Sequence, residues 1–226
     1  MANIIAAKEF LENIAIKEKK ERIAAFALKL PLPQPLISII VNKVLWRAET
    51  EVLWANRDRY RHFVDQVLSN SGLQEVDPVR RLIVIDWFSC VLRKVAVFEL
   101  SKCPDVVVFD ESLSQKALAM CVSKGKHLRE YAEIYFESMP VPDALVHCSL
   151  DVDATIQRLK NRHKVIQPHH GVSEGELVNI VEAQISVAAT GAAILKKRGV
   201  LVIDVDMGNS ISVNAKKVLR LLGGLR

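Results

Sequence analysis

Cysteine is scarce in this chain: Cys90, Cys103, Cys121 and Cys148 are the only four among 226 residues, and no two form a CxxC pair or fall at metal-ligand spacing. A disulfide scaffold is excluded on that count, and scattered thiols among apolar neighbours behave as small hydrophobes in a reducing compartment. Long apolar runs are missing as well. The longest, Leu82 to Leu92, is interrupted by Asp86 and is too short to cross a bilayer. No signal peptide opens the chain, no tract is of low complexity and no repeat recurs, so the expectation is a cytosolic protein away from membranes. Charge of one sign is not in large excess either, since 31 Lys and Arg against 26 Asp and Glu leave +5. A dedicated nucleic-acid binder concentrates its charge in a stripe. Here even Arg57-Asp58-Arg59-Tyr60-Arg61-His62 fans around a helix and is diluted by Glu49, Glu51 and Asp58.

What is present is ordinary globular composition, with 50% hydrophobic and 25% charged residues. A chain of this size can bury roughly 70% of its unfolded surface without covalent staples. The first hundred residues carry apolar positions at three- and four-residue spacing, which predicts helices over 3–29, from about Leu36 to Leu68, and from Asp77-Pro78 to about Ser101. Asp77 is a capping residue and Pro78 suits the first helical position. Pro31, Pro33 and Pro35 separate the first two helices.

After Pro104 the pattern changes. The β-branched run Val106-Val107-Val108-Phe109 predicts a buried parallel strand, followed by helices near 113–124 and 126–138. A second strand is predicted at Ala144–Cys148, a helix capped by Asp151 or Asp153 up to about Arg162, and a long helix over 174–198. Gly199, a third strand at Val200–Ile203 and a last helix near 210–222 complete the order. Alternating strands and helices predict a three-layer α/β domain, a parallel sheet with helices on both faces, over 76–226. Residues 1–75 form a helical N-terminal region ahead of it.

Three sets of residues could carry chemistry. Asp110 and Glu111 close the first strand, at the edge where open parallel sheets bind ligands: Asp110 could hold Mg²⁺ and Glu111 could polarise a nucleophile, or the two could merely cap the next helix. Arg158 and Arg162, four apart, would share one helical face and could grip phosphate in bidentate forks, with His163, His169 and His170 in the loop beyond. An exposed basic face is the plainer alternative for that arginine pair. Arg81 and Asp86 on the 78–101 helix are further ligand-binding candidates. Asp86 stands inside an apolar run and lies either on the solvent stripe or paired within a site, whereas Trp87, Phe88 and Val91 read as core.

The order strand–FDES–helix pair–PDALVHCSLDVDATIQRLKNR–loop–long helix–KKRGVLVIDVD–helix resembles the P-loop nucleoside and nucleotide kinases, thymidylate kinase and the deoxynucleoside kinases in particular, over about 78–222. The resemblance implies ATP and Mg²⁺ as cofactors and phosphoryl transfer to a small phosphate acceptor. It gives Asp110 the acidic role near the metal, and Arg158 and Arg162 the border of a mobile lid. Glu111 and Trp87 stand where the family has arginines. The phosphate cradle GxxxxGK[ST] does not occur: none of the nine glycines precedes Lys-Ser or Lys-Thr. In the family that loop follows the central strand, so the expectation is a segment upstream of Met1 or a rebuilt sheet. A binding or regulatory module that keeps the architecture without the chemistry is the alternative. The apolar helices 36–68 and 78–101 could supply a homodimer face.

Overall fold

The computed structural model describes residues 46–70, 73, 77–100, 107–109, 111–121, 127–162 and 172–225. The expected helix 3–29, residue Val106 and the carboxylate Asp110 lie outside them. By its contacts the chain divides into two compact units, residues 1–59 with 86–112, and residues 60–85 with 113–226, a division that runs through two helices.

In the first unit, helical backbone covers 46–55 and then breaks at Asn56. The expected continuous helix to Leu68 is therefore two helices. The Asn56 side-chain amide donates to the Val52 carbonyl at 2.9 Å. That is the local bonding by which asparagine competes with helix continuation. Helix α1 (Arg57–Asn70) follows, and α2 (Pro78–Leu100) begins where the sequence predicts, with the Asp77 carboxylate accepting from the amides of Val79 and Arg80 at 2.9 and 3.1 Å. Within the first unit Arg93 of α2 lies over the Trp46 ring at 5.6 Å and pairs with Glu49 at 3.9 Å. Burial pushes the Glu49 carboxyl above its usual range, and the positive charges of Lys94 and Arg93 pull it back.

The second unit holds α3 (Leu113–Met120), α4 (Leu128–Ser138), β1 (Ala144–Ser149), α5 (Val152–Lys160), α6 (Glu174–Lys197), β2 (Leu201–Asp206) and α7 (Ile211–Leu222), with a short 3₁₀ turn at Gly223–Leu225. Tyr135 anchors α4: its hydroxyl donates to the buried Leu113 carbonyl at 2.8 Å, and its ring meets Phe63 edge-on. Burial raises the Tyr135 phenol, and it pushes the Cys121 thiol up to about 12, so this cysteine is inert packing. Helix α6 is long and apolar enough, by length and composition, to cross a bilayer. Within the described residues it packs against α3, α4, α5 and both strands, with Val181, Val187, Gly191, Ala192 and Leu195 buried, and 22% of its apolar stretch is buried. Ser173 and Glu176 form a reciprocal capping box at its start. At its end Gly199 has φ of +87°, and the amides of Gly199 and Val200 return to the carbonyls of Lys196 and Leu195. That is a Schellman turn, which needs a residue at ease in the left-handed region.

The expected three-layer parallel sheet is not what forms. The described residues are 74% helix and 8% strand, and their only sheet is the parallel pair β1–β2. Two physical reasons are visible. The run ending at Phe109 is not a strand over 107–109: Phe109 stacks edge-to-face on Phe98 at 5.3 Å, and Val108 is 80% exposed. Second, the sheet is not apolar on both sides, as a sheet between two helical layers must be. Its register pairs Val146 with Ile203 and Cys148 with Val205 on one face, but His147 with Asp204 and Ser149 with Asp206 on the other. Ile203 and Val205 are buried, whereas Asp204 and Asp206 stand in solvent. A helical layer over those carboxylates would strip them of water.

Candidate functional site

The carboxyl ends of β1 and β2 lie side by side, and the chain builds a closely tied loop system there. After β1, Asp151 caps α5 by accepting from the Ala154 amide at 2.7 Å, while the Thr155 hydroxyl donates to the Asp151 carbonyl. After β2, the Met207 amide donates to the Ser149 carbonyl at 2.8 Å and carries the ladder one step beyond the strands. The Asp206 carboxylate accepts from the Gly208 amide at 2.7 Å, and its carbonyl accepts from the Asn209 amide and the Asn214 side chain. A side chain at position 208 would press its Cβ to 3.0 Å from that carboxylate, so glycine fits the turn. Arg158 closes the arrangement by donating from Nη2 to the Met207 carbonyl at 2.8 Å. One guanidinium thus joins the loop after β2 to the helix after β1.

The two arginines expected to share a helical face do not. Helix α5 ends at Lys160 with Asn161 as its C-cap, so Arg162 lies beyond the last turn, exposed. Arg158 is exposed but committed through one nitrogen to Met207. Lys160 reaches across to Glu174 at the start of α6, and its ammonium holds that exposed carboxyl below the usual range. The segment 163–171, with all three loop histidines, lies outside the described residues.

Arg81 belongs to the same unit and is half-buried. Asp86 and Glu111 belong to the other unit. Asp86 is on the solvent stripe of α2, exposed, with its carbonyl taking the Ser89 hydroxyl at 3.0 Å. Trp87, expected in the core, is 41% exposed, while Phe88 and Val91 are buried. Glu111 is exposed.

Sequence reasoning missed the pairing of His147 Nδ1 with Asp204 Oδ1 at 3.0 Å, and the side chains of Lys217 and Asn214 that bond the carbonyls of Asp204 and Asp206. The signal was in LVIDVD, where acids at alternate positions place carboxylates on one face of a strand.

Among the described residues no three His, Cys, Asp or Glu side chains gather where they could hold a metal ion. Mg²⁺ is commonly held by only one or two carboxylates plus a ligand's phosphates, but the cradle for those phosphates is not in the 226 residues. The described residues contain no such cradle, and no transfer step follows from them. Comparison with known proteins found no match in any family model, curated protein or solved structure.

Proposed function

We propose that this chain takes part in kinase-like phosphotransfer from ATP to a small nucleoside, nucleotide or related acceptor, and that the carboxyl edge of β1 and β2 is where it receives the phosphorylated ligand. One observation supports this reading most. An in-register parallel pair sets two loops side by side at its carboxyl end, and Arg158 bonds one loop to the helix of the other. In this reading Arg158 is a positioning residue, because its fork is partly spent on Met207, and Arg162 is the exposed guanidinium that meets phosphate. Asp110 as the magnesium-organising carboxylate and Glu111 as the group orienting the acceptor rest on the sequence resemblance. ATP and Mg²⁺ belong to the proposal on the same footing, as does a cytoplasmic location.

A second reading, a binding or regulatory module without chemistry, is favoured by that commitment of Arg158 together with the missing GxxxxGK[ST]. Nucleic acid remains disfavoured. Arg59 pairs with Glu99 and Arg61 with Asp65, so the basic run on α1 is largely compensated. A homodimer through the N-terminal helices stays part of the proposal without a structural observation behind it.

Calorimetric titration of the chain with Mg·ATP separates the two readings. The phosphotransfer reading expects weak saturable binding, in roughly the millimolar range, and about a tenfold loss in Arg162→Ala, the scale of one charge-assisted hydrogen bond. No binding, or binding that Arg162→Ala leaves unchanged, contradicts it and favours the module.

A further inference from the structure

We propose that α7 is an in-plane surface helix by which this chain rests reversibly on an anionic lipid bilayer, with Ile211, Ala215 and Leu219 entering the apolar boundary and Lys216 and Arg220 meeting the headgroups. Residues four apart on a helix stand in line, so α7 divides into rows along its axis. Asn214, Val218 and Leu222 form the row turned toward the rest of the unit. All three are half-buried, and the Asn214 side chain donates to the Asp206 carbonyl at 2.8 Å. Lys217, beside that row, donates from Nζ to the Asp204 carbonyl at 2.6 Å. These bonds fix the helix on β2 and decide which side is turned outward. The outward row is Ile211, Ala215 and Leu219, with Ile211 87% and Leu219 70% exposed. The next row, Ser212, Lys216 and Arg220, is exposed as well. Val213 is the one exposed apolar side chain of α7 outside the stripe.

An apolar stripe held in solvent marks an interaction surface, and the charge beside it says of what kind. From Met207 to Arg226 the chain carries Lys216, Lys217, Arg220 and Arg226 and no acidic residue. The nearest acids in sequence, Asp204 and Asp206, sit on β2, where the other flank of α7 is tied. An aliphatic row bordered by cations is the pattern of helices that lie along a negatively charged bilayer. The aliphatic side chains enter the acyl boundary, and Lys and Arg extend to the headgroup phosphates. Each cation near an anionic leaflet adds to the attraction. A protein partner fits less well, because lysine is depleted from protein interfaces. So short an apolar row gives a weak attachment that needs both the insertion and the charge. The expected distance from membranes rested on the lack of a long apolar run, and a helix lying in the plane of a surface needs none.

The probe is a vesicle of phosphatidylcholine with about a third phosphatidylserine, mixed with the full chain and sedimented. Apparent affinity is expected to be about tenfold or more above that for phosphatidylcholine alone, and to fall as salt rises. The double variant Lys216→Gln with Arg220→Gln is expected to lose about tenfold, the scale of two cations beside an anionic leaflet. Ile211→Gln with Leu219→Gln is expected to lose a similar factor with an unchanged circular dichroism spectrum, since both side chains are exposed. A measurement on the unaltered chain runs beside these: bicelles of the same lipids, spin-labelled on the acyl chain, are expected to broaden the amide signals of Ile211, Ala215 and Leu219 first. No retention on the anionic vesicles, retention that the Ile211 and Leu219 changes leave intact, or broadening centred outside α7 overturns the proposal. Sedimentation of the chain without lipid tests the competing occupant: a dimer that Leu219→Gln dissociates would overturn it too, by assigning the stripe to a second copy.

Discussion

Replacing Arg198 with Met is expected to lower the stability of the second unit by about 2–3 kcal/mol, the range for hydrogen bonds made by a charged group, and to lower its melting temperature by roughly 4–12 °C. Arg198 caps α6, yet its guanidinium serves α4. Nη1 donates to the Phe136 carbonyl at 2.6 Å and to the Met139 carbonyl at 2.9 Å. Phe136 is among the last four residues of α4, whose carbonyls have no partner within the helix. A cation at that terminus also meets the negative end of the helix dipole. Methionine keeps the length and the packing of the stem but leaves both carbonyls without their donor. Arg198→Lys is expected to recover only part of the loss, because the ammonium is more strongly hydrated than a guanidinium and costs more to desolvate at this part-buried position. Thermal unfolding followed by circular dichroism is the check, and a Met variant that melts with the wild type would refute the assignment.

Gly191→Ala is expected to destabilise by about 1–2 kcal/mol, against the direction helix propensity alone gives. In a helix interior alanine is favoured over glycine by up to about 1 kcal/mol. Here a Cβ would fall 2.3 Å from Cζ of Phe136 and 2.5 Å from its two Cε atoms, and the ring is buried with only 2% exposed. Overpacking a filled core costs about 1–3 kcal/mol, which exceeds the propensity gain. The ring cannot swing far, since Tyr135 lies against it at 5.5 Å. Phe136→Leu draws the obstructing atoms back. The double variant Gly191→Ala with Phe136→Leu is therefore expected to be more stable than the sum of the single losses by at least about 0.5 kcal/mol, the coupling that touching residues show. Strict additivity in urea unfolding would mean that the two positions do not meet.

Much of the second unit was legible because its boundaries are written in local chemistry. Asp151, Gly199 and the apolar stretches within 144–148 and 200–203 act within a few residues, and the elements they mark form close to where the sequence places them. Asp77 and Pro78 do the same for α2. What was not legible depends on partners distant in sequence. A run such as Val107-Val108-Phe109 has strand propensity, but a strand exists only by pairing, and Phe109 is engaged by Phe98 of α2 instead. The break at Asn56 depends on one side chain taking a helical carbonyl, which spacing alone does not reveal.

The candidate site was half legible. The loop after β1 and the arginines of α5 were found, but their arrangement was not. Spacing of four implies a shared face only while the helix lasts, and α5 stops at Lys160, two residues short of Arg162. The turn Asp206–Asn209, which receives Arg158, falls between the expected strand at Val200–Ile203 and the helix near 210–222, and nothing in the sequence singles it out. Its role comes from the parallel register, which no local pattern encodes.

The most direct test of the central claim, that the carboxyl edge of β1 and β2 receives a phosphorylated ligand, is an amide chemical-shift titration of the ¹⁵N-labelled chain with Mg·ATP. The account expects progressive shifts concentrated at Leu150–Asp153, Arg158–Arg162 and Asp206–Asn209, and their loss in Arg162→Ala. Amides that stay unmoved there, or shifts that gather elsewhere in the chain, would contradict it.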